Sequence, residues 1–93
     1  VGYYDINSKT YTKKIFKGDF ELVSLIGNMT FKDGERFIHT HIVFSDEKFI
    51  AYGGHLFDCS ISAAGEFIIN MGNNIINREH NSKIGLALWN CNI

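Results

Sequence analysis

Three of the four histidines in this sequence are spaced as metal ligands can be. His39 and His41 are two residues apart in the alternating segment Phe37 to Ser45. In a strand, both imidazoles would project from the same face, about 7 Å apart along the backbone. Zinc–nitrogen bonds are about 2.0–2.1 Å long and each ring adds reach, so such a pair can close on one ion.

The third histidine, His55, follows a glycine pair in the next segment, Phe49 to Phe57. A polar turn at residues 46–48 would fold this segment back against the first, and an antiparallel hairpin would bring His55 beside the pair. Three imidazole ligands leave a fourth position open for water or substrate, as in catalytic zinc sites, but a structural ion fits equally well. We therefore predict one metal site, catalytic or structural, with the ligands His39, His41 and His55.

A catalytic version of this site would need a general acid or base beside the metal. Glu21 and Glu66 lie in apolar stretches, where a carboxylate would be partly desolvated, and either could serve. Pairing across the sheet or at a subunit interface explains both residues as well. No nucleophile elbow or phosphate-binding loop occurs. Cys59 and Cys91 lack the spacing of a zinc ribbon or redox motif and are expected to be reduced core thiols.

Composition limits the class of protein. The 93 residues (10.6 kDa) allow one domain, residues 1–93, and 45% hydrophobic residues are ordinary for a folded chain. Nine Lys and Arg residues and ten Asp and Glu residues give a formal charge of −1. The chain therefore lacks the excess of basic residues that is typical of nucleic-acid-binding proteins. No apolar stretch approaches the roughly 20 residues of a membrane helix, and no signal peptide opens the chain. We expect a cytoplasmic location.

The elements that would position the histidines are strands separated by short polar breaks. No segment has a sustained 3.6-residue period, so the pattern is mainly β. Residues 32–35 form a turn signal, the glycine pair 53–54 suggests a bulge, and residues 73–82 read as a loop with room for one helical turn. Strands are predicted at residues 11–16, 20–29, 37–45, 49–57, 59–64, 65–71 and 84–89.

Taken together, these motifs resemble the PPC (plants and prokaryotes conserved) domain over essentially the whole chain. Each motif is weak alone, but their order and combination are specific. The matching stretches are Gly18 to Leu25 with Gly27, His39-Thr40-His41, Gly53-Gly54-His55-Leu56, Glu66, the opening Gly2-Tyr3-Tyr4-Asp5, and Gly85-Leu86.

The resemblance implies an α+β domain, a mainly antiparallel sheet with few helices, that assembles as a homotrimer. It also implies a metal, zinc, at the positions of His39, His41 and His55. Stand-alone prokaryotic members are often labelled predicted DNA-binding proteins, by analogy with plant members that carry AT-hooks. This sequence has no AT-hook core. It also begins after the point where the family's first strand and helix would lie, so we expect that part to be missing.

The sequence therefore predicts a stand-alone prokaryotic PPC-type module that trimerises, binds metal and has a DNA-binding or regulatory role. DNA is a possible partner that the net charge does not favour, and no DNA-contacting residue can be named. A membrane partner is not expected. The alternative is a metal-dependent enzyme acting on a small molecule at the three-histidine site, with Glu21 or Glu66 as its acid or base.

Overall fold

The computed structural model describes residues 1–91, which form one seven-stranded sheet. In space the strands follow the order β2-β1-β5-β4-β3-β6-β7. Neighbouring strands are antiparallel except β3 and β6, which are parallel. The strands are β1 (Gly2–Asp5), β2 (Thr10–Lys13), β3 (Glu21–Lys32), β4 (Glu35–Ser45), β5 (Ala51–His55), β6 (Asn77–Asn81) and β7 (Leu86–Asn90).

The longest hairpin joins β3 to β4 through a two-residue turn. Asp33 and Gly34 have φ angles of 52° and 78°, and the strands pair from Lys32 opposite Glu35 onward. Positive φ at both central residues is the signature of a type I′ turn, whose twist matches that of the flanking strands. The turn predicted at residues 32–35 is therefore confirmed, and it fixes the register of β4 against β3.

The prediction of a mainly antiparallel sheet is confirmed, but the α+β label is not supported, because residues 1–91 contain no helix. The physical reason is visible in the sequence: no stretch places apolar residues at helical spacing over three turns, so no segment has a face that a helix would bury.

Two predicted strands, 59–64 and 65–71, were wrong. Residues 56–76 run as irregular, largely exposed chain. Their apolar side chains have β propensity, but within residues 1–91 no neighbouring strand pairs with them, and pairing is what makes a strand.

Conversely, two observed strands were not predicted. β6 lies within the stretch predicted as a loop, and β1 lies before the first predicted strand. The sequence of β6, Asn-Arg-Glu-His-Asn, has little β propensity, so only its pairing with β3 and β7 reveals it. The predicted bulge is also misplaced. Gly53 and Gly54 pair regularly with β4, while the register shift lies in β3 between Leu22 and Ser24.

Little of the sheet's apolar surface is buried within the described chain. Among the described residues Ile42 and Phe44 are the buried hydrophobic side chains, and Phe16, Phe20 and Tyr52 pack around Phe44 on one face. The chain measures 46 × 35 × 18 Å and exposes 8161 Å². A compact monomer of this mass exposes about 5,500 Å². Much apolar surface is therefore open, and the histidines lie on the face opposite the aromatic cluster.

Within residues 1–91 there is no helix long and apolar enough to cross a membrane.

Candidate metal centre

The strand β4 places His39 and His41 on one face of the sheet. Alternation along the strand turns Thr40 and Ile42 to the opposite face. The Nε2 atoms of the two histidines are 3.2 Å apart, and their ring centroids are separated by 5.1 Å. The shared face that the spacing predicted is therefore present.

His55 joins the pair from the neighbouring strand. It lies directly opposite His41 in the antiparallel ladder of β4 and β5. Its ring centroid is 5.1 Å from that of His39 and 5.6 Å from that of His41. One ligand nitrogen of each of the three histidines lies within 4.8 Å of those of the other two. The hairpin geometry thus brings the three rings together as the sequence suggested.

The spacing of these nitrogens fits a small divalent ion. With zinc–nitrogen bonds of about 2.0–2.1 Å, two ligands of a tetrahedral site are separated by about 3.3 Å. The His39 and His41 Nε2 atoms already have that separation, at 3.2 Å. In addition, Nδ1 of His55 is buried with no hydrogen-bond partner among the described residues. A buried polar atom without a partner is unusual in a folded protein, and a metal ion bound at this nitrogen would offset the cost.

The electrostatic environment keeps two of the rings in the neutral form that binds metals. The pKa of His39 is lowered, mainly by burial and then by the charges of Arg78 and His41. The pKa of His55 is also lowered, mainly by burial and then by His39 and His41, with a smaller effect from Lys13. A metal does not have to displace a proton from a neutral imidazole, so both rings are ready to bind near neutral pH.

Arg78 on β6 is a residue of this site that the sequence analysis missed. Its side chain is 9% exposed. Its Nε donates to Thr30 Oγ1 at 2.7 Å, Nη1 to the carbonyl of Ala87 at 2.9 Å, and Nη2 to Asn28 Oδ1 at 3.1 Å. The Nη2 atom also lies 3.5 Å from Nδ1 of His39. The guanidinium therefore supports one side of the His39 ring and fixes a positive charge there.

Aromatic side chains and a lysine border the site at His55. Tyr11 and Phe57 have ring centroids 5.1 and 4.6 Å from that of His55. The ammonium group of Lys13 lies 4.3 Å from the centroid of Phe57. These contacts pack against the His55 ring and bring a second cation close to the site.

The carboxylates proposed as acid or base lie elsewhere. Glu21 begins β3 opposite Ser45, four residues beyond His41 on β4, and its side chain is exposed. Glu66 lies in the irregular segment 56–76 and is also exposed. The partial desolvation expected of both is therefore not seen. Among residues 1–91 the metal-capable group consists of the three histidines without a carboxylate.

The remaining residues singled out from the sequence also lie apart from the three rings. The fourth histidine, His80, is on β6, exposed and outside the cluster. Cys59 and Cys91 are free, as expected, but they are exposed rather than part of a core.

Solved structures of similar proteins share this fold. A Bacteroides thetaiotaomicron protein described as a "putative DNA binding protein" matches with a TM-score of 0.92 and 27% identity over 97% of this chain and 63% of that chain. A plant- and prokaryote-conserved (PPC) protein of Pyrococcus horikoshii matches with a TM-score of 0.78 and 36% identity, covering 97% of this chain and 62% of that one.

A protein of Archaeoglobus fulgidus described as metal-containing has a TM-score of 0.78 and 33% identity, over 96% of this chain and 63% of that chain. This chain thus spans slightly less than two thirds of the length of each of these structures. No curated protein matches it.

The family assignment rests on the sequence match as well as on the fold. The model of the Plants and Prokaryotes Conserved (PCC) domain matches residues 1–72, which include all three clustered histidines. The chain belongs to the Plants and Prokaryotes Conserved domain family, abbreviated PCC or PPC.

Proposed function

We propose that this chain is a metal-binding module in which His39, His41 and His55 hold one divalent ion. The observation that supports it most directly is the convergence of one nitrogen from each ring within 4.8 Å. Three imidazoles suit zinc, copper, iron or nickel better than magnesium or calcium, which prefer oxygen ligands. We propose zinc, since the 3.2 Å spacing suits a tetrahedral site. The Archaeoglobus fulgidus relative, described as metal-containing, supports a metal in this family.

The protein's part in this function is to hold three imidazole ligands in a fixed arrangement. Strands β4 and β5 set the backbone positions, and Arg78 supports the ring of His39 through Nδ1. Tyr11 and Phe57 support the ring of His55. A zinc ion held by His39, His41 and His55 would supply a Lewis-acidic centre able to bind an outside ligand.

We further propose that copies of this chain assemble as a homotrimer, as the PPC resemblance implies. The support is the apolar surface that one chain leaves open. Within the segment 56–76, six large apolar side chains are 55–94% exposed: Ile61, Phe67, Ile68, Ile69, Met71 and Ile75. Exposed apolar patches of this extent are uncommon on monomers and are typical of surfaces that other chains cover. A second copy of the chain is the occupant that we propose.

The role that we favour for this assembly is a binding or regulatory one. The Bacteroides relative is described as a putative DNA-binding protein, and DNA is the partner that this likeness suggests. A formal charge of −1 gives little attraction for a phosphate backbone, so DNA is the weaker choice. The alternative, a metal-dependent enzyme, is favoured by the open coordination position. The described cluster holds no carboxylate that could act as the acid or base of such an enzyme, and this weighs against the alternative.

One experiment separates these roles. Purified protein is titrated with zinc by calorimetry, its mass is measured by light scattering, and its affinity for duplex DNA is measured by fluorescence anisotropy at several salt concentrations. The proposal predicts about one zinc per chain and a mass near three chains. An affinity for DNA that falls steeply with salt would establish the DNA-binding role. A chain that takes up no zinc would overturn the metal-binding proposal.

A further inference from the structure

The face of the sheet that carries the histidines also carries two cations. Strand pairing places His55, Gly2 and Lys13 in one row, because Gly2 pairs with both of the others. In the other direction, β3 and then β6 follow β4, and Arg78 of β6 reaches back to within 3.5 Å of His39. The three imidazoles therefore lie between a lysine on one side and an arginine on the other.

The charge of Arg78 is not balanced by a carboxylate. Its four polar contacts are the hydroxyl of Thr30, the carbonyl of Ala87, the amide of Asn28 and the ring of His39, all of them neutral. Among residues 1–91 no acidic group forms an ion pair with it. A side chain this deeply buried, with 9% exposure, normally has a counter-charge, because removing a cation from water is costly.

Lys13 provides a cation of a different kind, an exposed ammonium group on a flexible side chain. Its ammonium group lies over the ring of Phe57, which in turn packs on His55. A lysine stem with several rotatable bonds can leave an aromatic ring to meet a charged ligand at small cost. The adjacent Lys14 instead lies over Phe16, in the aromatic cluster on the other face, so it offers a matched comparison.

The charge balance of the site points to its ligand. Three neutral imidazoles leave the charge of a divalent ion uncompensated, and the flanking residues add positive charge. We propose that the metal centre recognises a small oxyanion, a ligand with a phosphate or carboxylate group that occupies the open metal position and is contacted by Lys13, while Arg78 supplies a fixed positive charge. This inference rests on the proposed metal site.

A small anion fits this arrangement better than a nucleic acid does. The positive charge is local, since the whole chain has a formal charge of −1. A nucleic-acid backbone needs several cations along its length, because each phosphate contact adds separately to affinity. Here the cations flank one point on the sheet, where a single charged group can meet a metal and a lysine together.

The test uses calorimetry on zinc-loaded protein, with inorganic phosphate and acetate as separate probes and zinc content measured in every sample. We compare the unmodified chain with Lys13→Gln and Lys14→Gln. The inference predicts that at least one probe binds, that Lys13→Gln weakens its affinity roughly fivefold, and that Lys14→Gln leaves it within about twofold. Zinc content should be the same in all three proteins, since neither lysine is a ligand.

The outcomes separate this inference from the proposed function. Absence of zinc uptake would overturn both. Full zinc content without binding of either probe would overturn the oxyanion ligand alone, as would equal losses in the two lysine variants, which indicate general charge attraction. Preferential binding of duplex DNA, with phosphate unable to compete, would replace the small anion by a nucleic acid. Phosphate binding without acetate binding, or the reverse, identifies the class of oxyanion.

Discussion

His41 and His55 are direct cross-strand partners in the ladder of β4 and β5. Side chains at paired positions lie on the same face, so this register brings the two imidazoles together. A slip of one residue would turn His55 to the opposite face. The turn between the strands fixes the register, since Asp46 Oδ1 accepts hydrogen bonds from the backbone N–H groups of Lys48 and Ile50. The candidate metal centre therefore depends on a local turn as much as on its ligands.

The stability of the metal-free protein should fall as the pH drops below about 6.5. The pKa values of His39 and His55 are lowered in the folded state, whereas in the unfolded chain they return to about 6.5. Between the lowered values and 6.5 the unfolded state binds more protons, so the free energy of unfolding rises with pH through that window and levels off above it.

Thermal unfolding in chelator at several pH values between 5 and 8 tests this linkage. Substituting both histidines with glutamine should flatten the profile, while His80→Gln, which alters an exposed histidine outside the cluster, should leave it unchanged. A profile that is equally steep in the double variant would show that other groups cause the pH dependence.

Gly27 should be intolerant of a side chain. A Cβ atom there would collide with the carbonyl oxygen of His39 and with Thr40 on the facing strand. Gly27→Ala should therefore lower the free energy of unfolding by about 1–3 kcal/mol, as overpacking usually does, and weaken zinc binding by displacing His39. Gly72→Ala is the control, because a Cβ at that position meets nothing within 4 Å. Urea unfolding measures both, and equal stability of the two variants would contradict the close approach of β3 and β4.

Arg78 should contribute strongly to stability because it joins three strands. Its hydrogen bonds reach β3 and β7, and the guanidinium carbon lies 4.9 Å from the ring centroid of Phe37 on β4. Arg78→Met keeps much of the side-chain volume but leaves the oxygen atoms that accept from Arg78 without a donor. The free energy of unfolding should therefore fall by about 1–3 kcal/mol. Arg36→Met, at an exposed position on β4, should change stability by less than about 0.5 kcal/mol. Similar urea midpoints for the two variants would contradict this role.

The sequence predicted the cluster of three histidines because its signal is local. Alternation in residues 37–45 placed His39 and His41 on one face, and a short hairpin was enough to add His55. The role of Arg78 could not be predicted in this way. It acts on His39 from a polar strand, β6, that is 39 residues away in the chain and has little β propensity. Only the parallel pairing of β6 with β3 brings the two residues together.

The errors in the fold have a related cause. The apolar stretches 59–64 and 65–71 have the composition of strands but lie exposed, since nothing in the described chain pairs with them. The glycine pair 53–54 suggested a bulge, yet both residues keep a regular register. At Gly53 close packing explains the glycine, because a Cβ there would lie 2.8 Å from the carbonyl oxygen of Ile42.

Ile68 tests the proposed assembly. Its side chain is 94% exposed in the single chain, so Ile68→Asp should hardly alter the stability of an isolated chain. If a second copy covers this segment, the substitution places a charge in an apolar interface, and light scattering should show the mass falling toward that of one chain. Ser62→Asp, an exposed polar position in the same segment, should leave the assembly intact. A trimer that persists in Ile68→Asp would exclude this residue from the interface.

The most direct test of the metal centre is the zinc content per chain of three purified proteins, with the mass of each measured by light scattering. We expect about one zinc per chain in the unmodified protein and in His80→Ala, and almost none in His55→Ala, with the trimer retained in all three. Equal zinc content in His55→Ala and His80→Ala, or an unmodified protein without zinc after incubation with the ion, would contradict the assignment of His39, His41 and His55 as its ligands.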